Sequence, residues 1–499
     1  MKLFFPCRFL AFSLLGLVGT LRAQKPANVA MPMPIPVVAP IPPNPDGMPI
    51  KIDQVYAFYC AACHGVKLEG GVGATLLGPE WKHGDDSESL FKTIKGGVPE
   101  TAMPAWSFLA DDTIRALAVY IREQVYAASL VTNPVPQVAP DGRYESEVHN
   151  FMVETFVKDL ETPWSMTWLP DGRMLVTERP GRLRFIEAEG KVSAPIIGLP
   201  AVYAKGQGGL FEVALHPDYA KNGWVYLSYS DPQNLDGMDA SLTAIVRGRI
   251  KDGKWVDEQT IFRADVKFYR TSNVHFGGRL VFHEGYLFFG IGERGTGDHA
   301  QDITRPNGKI HRIFDDGRIP TDNPFVGQPD AFPTIWSYGH RNPQGLVRHP
   351  VTGELWETEH GPRGGDELNL IQRGQNYGWP KASYGMNYNG TPMTPYTTLP
   401  GMIDPVIYWT PSIATCGLDV YEGDKFPKWK DHLFAGGLAK EEVHRLVVKD
   451  GKVTHREVIF KNHGRVRDIC MGPDGLVYIL LNSRPKETEG RIVRLRPVE

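Results

Sequence analysis

The run Cys60-Ala61-Ala62-Cys63-His64 carries the most specific chemistry in this sequence of 499 residues. Two thiols three positions apart can add to the vinyl groups of a haem, and the adjacent imidazole can bind the iron. A redox-active dithiol or half of a zinc site would also use paired cysteines. However, the sequence holds no second cysteine pair of this spacing and no strand–helix context for a redox dithiol. The motif therefore predicts haem c attached to Cys60 and Cys63, with His64 as an iron ligand.

Met103 is the best candidate for the other axial ligand of this haem. It stands in Ala102-Met103-Pro104, in a loop before a predicted helix, where it is not a helical core residue. Residues 51–126 resemble the class I cytochromes c in this Met-Pro signature and in Leu77-Gly78-Pro79. The resemblance implies that the carbonyl of Pro79 accepts the N–H of the haem-binding histidine and so fixes its ring.

Residues 151–499 hold several clusters of Arg, Asn, Gln and His in loops bounded by glycine and proline, which an ordinary surface explains poorly. They are Gly206–Gly209, Asn273–Gly278, Tyr338–Gly345, Glu359–Glu367, Asn376–Pro380 and Arg465–Arg467. In their order and spacing these motifs resemble the soluble glucose dehydrogenase and aldose sugar dehydrogenase family (glucose/sorbosone dehydrogenases). The resemblance runs from Leu160 to Arg496. It implies an oxidoreductase that uses pyrroloquinoline quinone (PQQ) and Ca²⁺ to oxidise the C1 hydroxyl of aldoses to lactones.

The same resemblance assigns four residues to the reaction centre. His275 matches the catalytic base, which takes the proton of the sugar hydroxyl while hydride leaves the same carbon for the quinone. Arg341 matches the residue that binds the cofactor and steadies negative charge on the quinone oxygen. Asn342 is expected to contact the cofactor, and Gln207 is expected to contact the cofactor or the sugar.

Cofactor binding is implied at further positions. PQQ is a planar tricarboxylate, and Arg465 and Arg467 alternate along a predicted strand, so both guanidinium groups can face its carboxylates. The backbone carbonyls of Gly361 and Pro362 match ligands of the PQQ-linked calcium ion.

Two further positions concern metal and cofactor contacts in relatives. Glu367 and Tyr377 match a second calcium site of close relatives. Relatives often direct a lysine at the cofactor where this sequence has Ala439; Lys440 can replace it by a one-residue shift, or the contact is lost.

These motifs require two kinds of scaffold, so we predict a multidomain protein. Apolar residues at helical spacing from Ile114 to Val125 predict a small all-α cytochrome c domain over residues 51–126. Residues 151–499 instead contain short alternating apolar runs, and a Pro/His–polar–Gly turn recurs before about six of them. A repeat of roughly 55 residues suits a four-stranded blade, so an all-β six-bladed β-propeller is predicted there rather than a β-sandwich.

The remaining segments concern export and connection. Residues 1–23 have the pattern of a signal peptide, which predicts a periplasmic or secreted protein. The proline-rich segments 24–50 and 127–150 are predicted to be linkers, the second a flexible tether that lets the haem reach the propeller. In an oxidising compartment Cys416 and Cys470 can form a disulfide or stay as two thiols.

The composition limits the classes of partner that the protein is expected to bind. A net charge of −3 gives no general attraction to nucleic acid, and no run after the signal is apolar enough to span a membrane. An aldose and a downstream periplasmic electron acceptor are the expected partners, and the sugar itself is not named by the sequence. Two alternatives stay open: a cofactor-free propeller that acts as a binding module beside an electron-carrier cytochrome, and a calcium-dependent lactonase.

Overall fold

The computed structural model describes residue 41 and residues 49–78, 81–132, 136–482 and 489–498. The predicted signal peptide and nearly all of the predicted linker 24–50 lie outside the described residues, as does Pro79. Within the described residues, no helix is both long and apolar enough to cross a membrane.

The amino-terminal part of the described chain is helical. Its helices are α1 (Ile52–Tyr59), α2 (Ala61–His64), α3 (Ser87–Gly96) and α4 (Asp111–Thr132). Asp86 caps α3, because its carboxylate accepts the N–H groups of Glu88 and Ser89. The predicted apolar stripe of α4 is buried at Ile114, Leu117, Ala118 and Ile121, which confirms the helical interpretation of that segment.

The predicted flexible tether at 127–150 is wrong for the residues that the structure describes. Helix α4 continues to Thr132, and β1 (Gln137–Val138) and β2 (Tyr144–Glu145) form a hairpin that pairs with the next strand, β3 (Asn150–Glu161). The prolines of this segment disfavour helix only at and near their own positions, whereas the alanines at 127 and 128 are strong helix formers. The ring of Tyr144 stacks on Phe151 at 5.4 Å and anchors the hairpin.

The rest of the chain forms the six antiparallel sheets of a six-bladed β-propeller, as predicted. The first three blades contain β4 (Pro163–Trp168), β5 (Met174–Glu178) and β6 (Arg182–Ile186); β7 (Leu210–Leu215), β8 (Val225–Leu235), β9 (Met238–Lys251) and β10 (Lys254–Phe262); and β11 (Leu280–His283), β12 (Tyr286–Ile291), β13 (Lys309–Phe314) and β14 (Ile335–Tyr338). A short helix, α5 (Tyr219–Asn222), links β7 and β8.

The last three blades are built in the same way. They contain β15 (Pro343–Arg348), β16 (Leu355–Glu359), β17 (Asp366–Ile371) and β18 (Ile407–Trp409); β19 (Thr415–Val420), β20 (Leu433–Gly437), β21 (Glu442–Lys449) and β22 (Lys452–Lys461); and β23 (Arg465–Met471), β24 (Val477–Asn482) and β25 (Glu489–Val498) with β3. Short 3₁₀ helices lie at Val266–Phe268, Gly297–Ala300 and Pro427–Trp429.

The ring closes because strands from the two ends of the propeller pair with each other. Strand β3 runs antiparallel to β25, with Val153 opposite Leu495. The first strand of each blade contacts the first strands of the neighbouring blades, from β4 through β7, β11, β15, β19 and β23 back to β4. These six strands surround the central axis, and residues at their ends therefore meet although they are far apart in sequence.

A buried ion cluster ties these inner strands together. The Arg279 guanidinium lies 2.9 Å from a Glu212 oxygen of β7 and 2.7 Å from an Asp468 oxygen of β23. It also donates to the carbonyls of Gln344 on β15 (2.7 Å) and Arg467 on β23 (3.0 Å). One side chain thus holds three inner strands, and it fixes the backbone of Arg467, a predicted cofactor-binding residue.

Candidate functional site

The helical part encloses a cavity of about 430 Å³. The side chains predicted to hold haem, Cys60, Cys63, His64 and Met103, all line this cavity, and apolar residues such as Ile121 form much of the remaining wall. Both predicted attachment thiols and both predicted axial ligands therefore line one cavity, as a covalently bound haem would require.

The ring of His64 is oriented from behind by a backbone carbonyl. Its Nδ1–H donates to the carbonyl of Ala74 at 2.8 Å, which leaves Nε2 to bind iron. Sequence resemblance implied Pro79 for this role, but Pro79 lies outside the described residues and Ala74 makes the contact. A backbone acceptor has no side-chain signature, so the sequence could not identify it.

Met103→Ala should leave the haem covalently bound through the two cysteines but change its axial field and its reduction potential. The measurement is the optical spectrum and a redox titration of the full chain. Met238→Ala is the control, since this methionine is exposed on the propeller. An unaltered spectrum and potential in Met103→Ala would remove Met103 as the sixth ligand.

His275 lies in a strained loop just before β11 and is largely buried. Its φ of 53° is in the left-handed region, a conformation that persists only where surrounding contacts enforce it. Its backbone N–H donates to Gln207 Oε1 at 2.8 Å. A Cβ on Gly292 would come within 2.2 Å of the His275 carbonyl oxygen, so glycine is required at that position.

The His275 ring is oriented by Glu293, a residue that the sequence analysis missed. Nδ1 lies 2.7 Å from Glu293 Oε1, so the neutral ring carries its proton on Nδ1 and keeps Nε2 as an acceptor. Burial lowers the pKa of His275, the bond to Glu293 opposes this, and the Arg341 cation lowers it again. A neutral imidazole near pH 7 with a free Nε2 can act as a general base.

Arg341 and Asn342 are held by one carboxylate. The backbone N–H groups of both residues donate to Glu359. Asn342 Oδ1 accepts the N–H of Gly277 at 3.1 Å, so this side chain supports the loop that carries His275. The guanidinium of Arg341 lies 5.0 Å from the ring centre of Trp379, and its Nε has no partner within the described residues.

The predicted calcium loop follows Glu359. A Cβ on Gly361 would lie 2.2 Å from the Gly365 carbonyl, so only glycine fits in this tight turn. Asp366 accepts the N–H of Gly361 at 2.9 Å, and burial raises the pKa of Asp366 to about 6. The Gly361 carbonyl accepts Arg341 Nη1 at 2.9 Å, which leaves its second lone pair for another ligand, while Pro362 contributes no N–H to the loop.

Arg465 and Arg467 occur two apart on β23, as predicted, and a third arginine joins them. Burial lowers the pKa of Arg179 and of Arg465, and the Arg467 cation lowers both further. Burial also lowers the pKa of His360 to about 3, with contributions from Arg341, Arg467 and His275. The base and the arginines therefore converge on one region, where like charges favour an anionic ligand.

The predicted second calcium position lies in a buried acidic cluster. Asn369 Nδ2 donates to Glu357, Glu359 and Glu367 at 3.2–3.3 Å, and His340, Glu357 and Glu359 present ligand atoms within 4.8 Å of one another. Burial raises the pKa of Glu367 well above its ordinary value. The hydroxyl of Tyr377 donates to the Leu370 carbonyl at 2.6 Å, so only the backbone of Tyr377 remains for a metal.

The structure bears on two points that the sequence left open, the state of Cys416 and Cys470 and the role of Lys440. Cys416 and Cys470 are both free thiols, and Cys416 Sγ lies 3.2 Å from Arg467 Nη1. The ammonium of Lys440 lies 4.7 Å from the ring centre of Tyr126 in α4. It therefore faces the helical part of the chain, which does not support Lys440 as a replacement for the cofactor lysine of relatives.

Comparison with known proteins places these features in a family. The family model described as "Glucose / Sorbosone dehydrogenase" matches residues 160–494. The chain belongs to this family. The amino-terminal part, residues 49–121, matches the model "Cytochrome C oxidase, cbb3-type, subunit III". This dehydrogenase family member thus carries a cytochrome c domain, which implies haem c.

Named relatives agree with this family assignment. An aldose sugar dehydrogenase of Escherichia coli is 44% identical over 352 residues, covering 69% of this chain and 92% of that protein. The crystal structure of a soluble aldose sugar dehydrogenase from the same species in its apo form has a TM-score of 0.65 at 41% identity, covering 70% of this chain and 100% of the other. The PQQ-bound aldose sugar dehydrogenase of Streptomyces coelicolor has a TM-score of 0.58 at 28% identity, covering 70% and 98%.

Proposed function

We propose that this protein is a PQQ- and Ca²⁺-dependent aldose dehydrogenase that passes electrons from the sugar to its own haem c. The observation that carries this proposal is the convergence of an oriented neutral base, His275, with Arg341 and a group of neighbouring arginines, of which Arg465 and Arg467 alternate on β23. A lactonase would not require this many cations around its base. A mere binding module would not require a base with a free Nε2.

In the proposed reaction His275 Nε2 takes the proton of the C1 hydroxyl of the sugar. The carboxylate of Glu293 holds the ring through Nδ1 and stabilises the imidazolium that forms. Gln207 fixes the backbone of His275, so its position does not depend on the substrate. PQQ, which Arg341 and the neighbouring arginines would hold, would supply the acceptor for the hydride of C1.

Arg341 and the cluster of Arg179, Arg465 and Arg467 provide the electrostatic part of the site. The Nε groups of Arg341 and Arg467 have no partner among the residues that the structure describes, so both are available as donors for the oxygens of a tricarboxylate. Near a developing oxyanion, a fixed guanidinium of this kind lowers the barrier because it needs no reorganisation. We assign Ca²⁺ to the carbonyls of Gly361 and Pro362, and a second Ca²⁺ to Glu367 in its acidic cluster.

The predicted signal peptide supports a periplasmic or secreted location, where quinone, calcium and a soluble one-electron acceptor can reach the protein. That acceptor would reoxidise the haem after each electron.

Arg467→Gln should weaken PQQ binding by about 10- to 100-fold, the usual range for losing a charge-assisted hydrogen bond (~1.5–3 kcal/mol). Titration of the calcium-loaded apoprotein with PQQ, followed by dye-linked sugar oxidation, measures this. Arg494→Gln is the control, since Arg494 forms a surface pair with Glu154 at 2.9 Å. Equal PQQ affinity in Arg467→Gln and the parent would contradict the assignment of the arginine cluster.

A further inference from the structure

Helix α4 of the cytochrome domain makes contacts through two of its faces. The face with Ile114, Leu117 and Ile121 is buried in the cytochrome core. The other face meets the propeller with residues spaced at i, i+4, i+7, i+8 and i+11, which is one stripe of a helix. Its members are Arg115, Val119, Arg122, Glu123 and Tyr126.

The centre of this contact is an ion pair with the predicted calcium loop. Arg363 follows Pro362 and donates from Nε and Nη2 to both carboxylate oxygens of Glu123, at 2.7–3.1 Å. This pair is partly buried, and the bond to Glu123 raises the pKa of Arg363. A bidentate ion pair of this kind fixes the relative orientation of the two side chains as well as their distance.

The loop around residues 384–408 supports this pair through the backbone of Arg363. The backbone of Arg363 exchanges two hydrogen bonds of 2.9 Å with Met386. Gly390 accepts the N–H of Ile52 in α1 at 2.8 Å, and Pro395 accepts Arg115 Nε at 2.8 Å. The same loop carries Tyr388, whose ring lies 5.8 Å from the Arg341 guanidinium.

Contacts just after β18 and on the fifth blade continue the interface along α4. Arg122 Nε donates to the Thr410 carbonyl at 3.3 Å. The hydroxyl of Tyr126 donates to Glu442 at 3.2 Å and accepts from Lys461 at 2.6 Å, and the Lys461–Glu442 pair closes the triangle at 2.7 Å. The interface thus joins charged, polar and aromatic contacts over three turns of helix.

We infer that α4 docks the cytochrome domain on the predicted calcium loop, and that Glu123–Arg363 is the pair that positions it. On one side of α4, Ile121 lines the haem cavity; on the other, a Val119 methyl lies 3.2 Å from the Cβ position of Gly364. The haem cavity and the predicted calcium loop are therefore separated by about one helix diameter, roughly 10–12 Å. The docked state replaces the flexible tether.

This inference rests on the proposed function only for its electron-transfer part. Oxidation of one sugar to a lactone releases two electrons and two protons, and one haem takes one electron as Fe³⁺ becomes Fe²⁺. The haem must therefore be reduced twice per sugar, with a soluble one-electron acceptor such as a c-type cytochrome reoxidising it each time. Because the separation is short and fixed, the cytochrome domain does not have to diffuse to the propeller before each of the two electron transfers.

The test uses the full chain with Glu123→Lys, which opposes two cations, and with Val119→Arg, which fills the contact at Gly364. Small-angle X-ray scattering of each variant gives the radius of gyration with no cofactor required. Stopped-flow mixing of aldose with the PQQ- and calcium-loaded protein gives the rate of haem reduction. Glu100→Lys, in an exposed loop of the same domain, is the matched control, and the haem spectrum checks that the domain is folded.

In both variants we expect a larger radius of gyration and haem reduction at least tenfold slower, with dye-linked sugar oxidation unchanged. Adding Arg363→Glu to Glu123→Lys restores the pair with reversed charges and should recover the parent radius. If both variants kept the radius of gyration and the rate of haem reduction of the parent protein, the docking inference would be overturned. Absence of dye reduction in the parent would instead overturn the proposed function and leave the scattering result to decide docking.

Discussion

His275→Ala is expected to lower the turnover of sugar by about a hundredfold or more, the usual range for removing a general base. The loop should keep its shape, because Gln207 and Asn342 bind backbone groups of this segment and not the imidazole. PQQ affinity should therefore change little. Steady-state dye reduction by the loaded variant and its PQQ titration provide the two measurements, and undiminished turnover would exclude His275 from the mechanism.

The pH profile gives an independent check on the same residue. Burial lowers the pKa of His275, so its imidazole is already neutral at a pH below the ordinary imidazole pKa of 6.5. We therefore expect kcat/KM to reach its plateau below that pH. Activity should fall as pH drops through the His275 pKa. Glu293→Gln removes the interaction that raises this pKa, so the acid limb should move to lower pH while the maximum rate falls. An acid limb that stays in place would argue against the pair.

Arg279→Met should lower the free energy of unfolding by about 3–5 kcal/mol, the cost of leaving a buried charge without its partner. Glu212 and Asp468 would stay buried at the propeller axis with no cation between them. Denaturant unfolding of the apoprotein, followed by tryptophan fluorescence, measures the change. Arg494→Met removes a surface pair and should cost under ~1 kcal/mol. Similar losses in the two variants would show that the axial cluster does not tie the blades together.

The haem motif could be predicted from sequence because covalent attachment forces Cys60, Cys63 and His64 to be neighbours in the chain. The propeller could also be predicted, since each blade repeats the same turn and apolar strand. The assignment of Arg465 and Arg467 to the cofactor came from the family resemblance, and the structure agrees only with their alternation on one strand.

Other parts of the site carried no local signal. Glu293 and Arg179 each stand beside an oppositely charged neighbour, Arg294 and Glu178, and only the folded propeller brings them to His275 and Arg467. The backbone carbonyl of Ala74 is invisible in any sequence pattern. The tether prediction was wrong because proline content was taken to describe the whole segment, whereas α4 continues to Thr132 and presents Glu123 and Tyr126 to the propeller.

The most direct measurement of the central claim is reconstitution of the apoprotein, full chain, with PQQ and Ca²⁺ in the presence of an aldose and an artificial electron acceptor. The account predicts that dye reduction depends on both PQQ and Ca²⁺, saturates at one PQQ per chain, and yields the lactone. Sugar oxidation that ignores PQQ, or an inert loaded protein that only hydrolyses lactones, would contradict it.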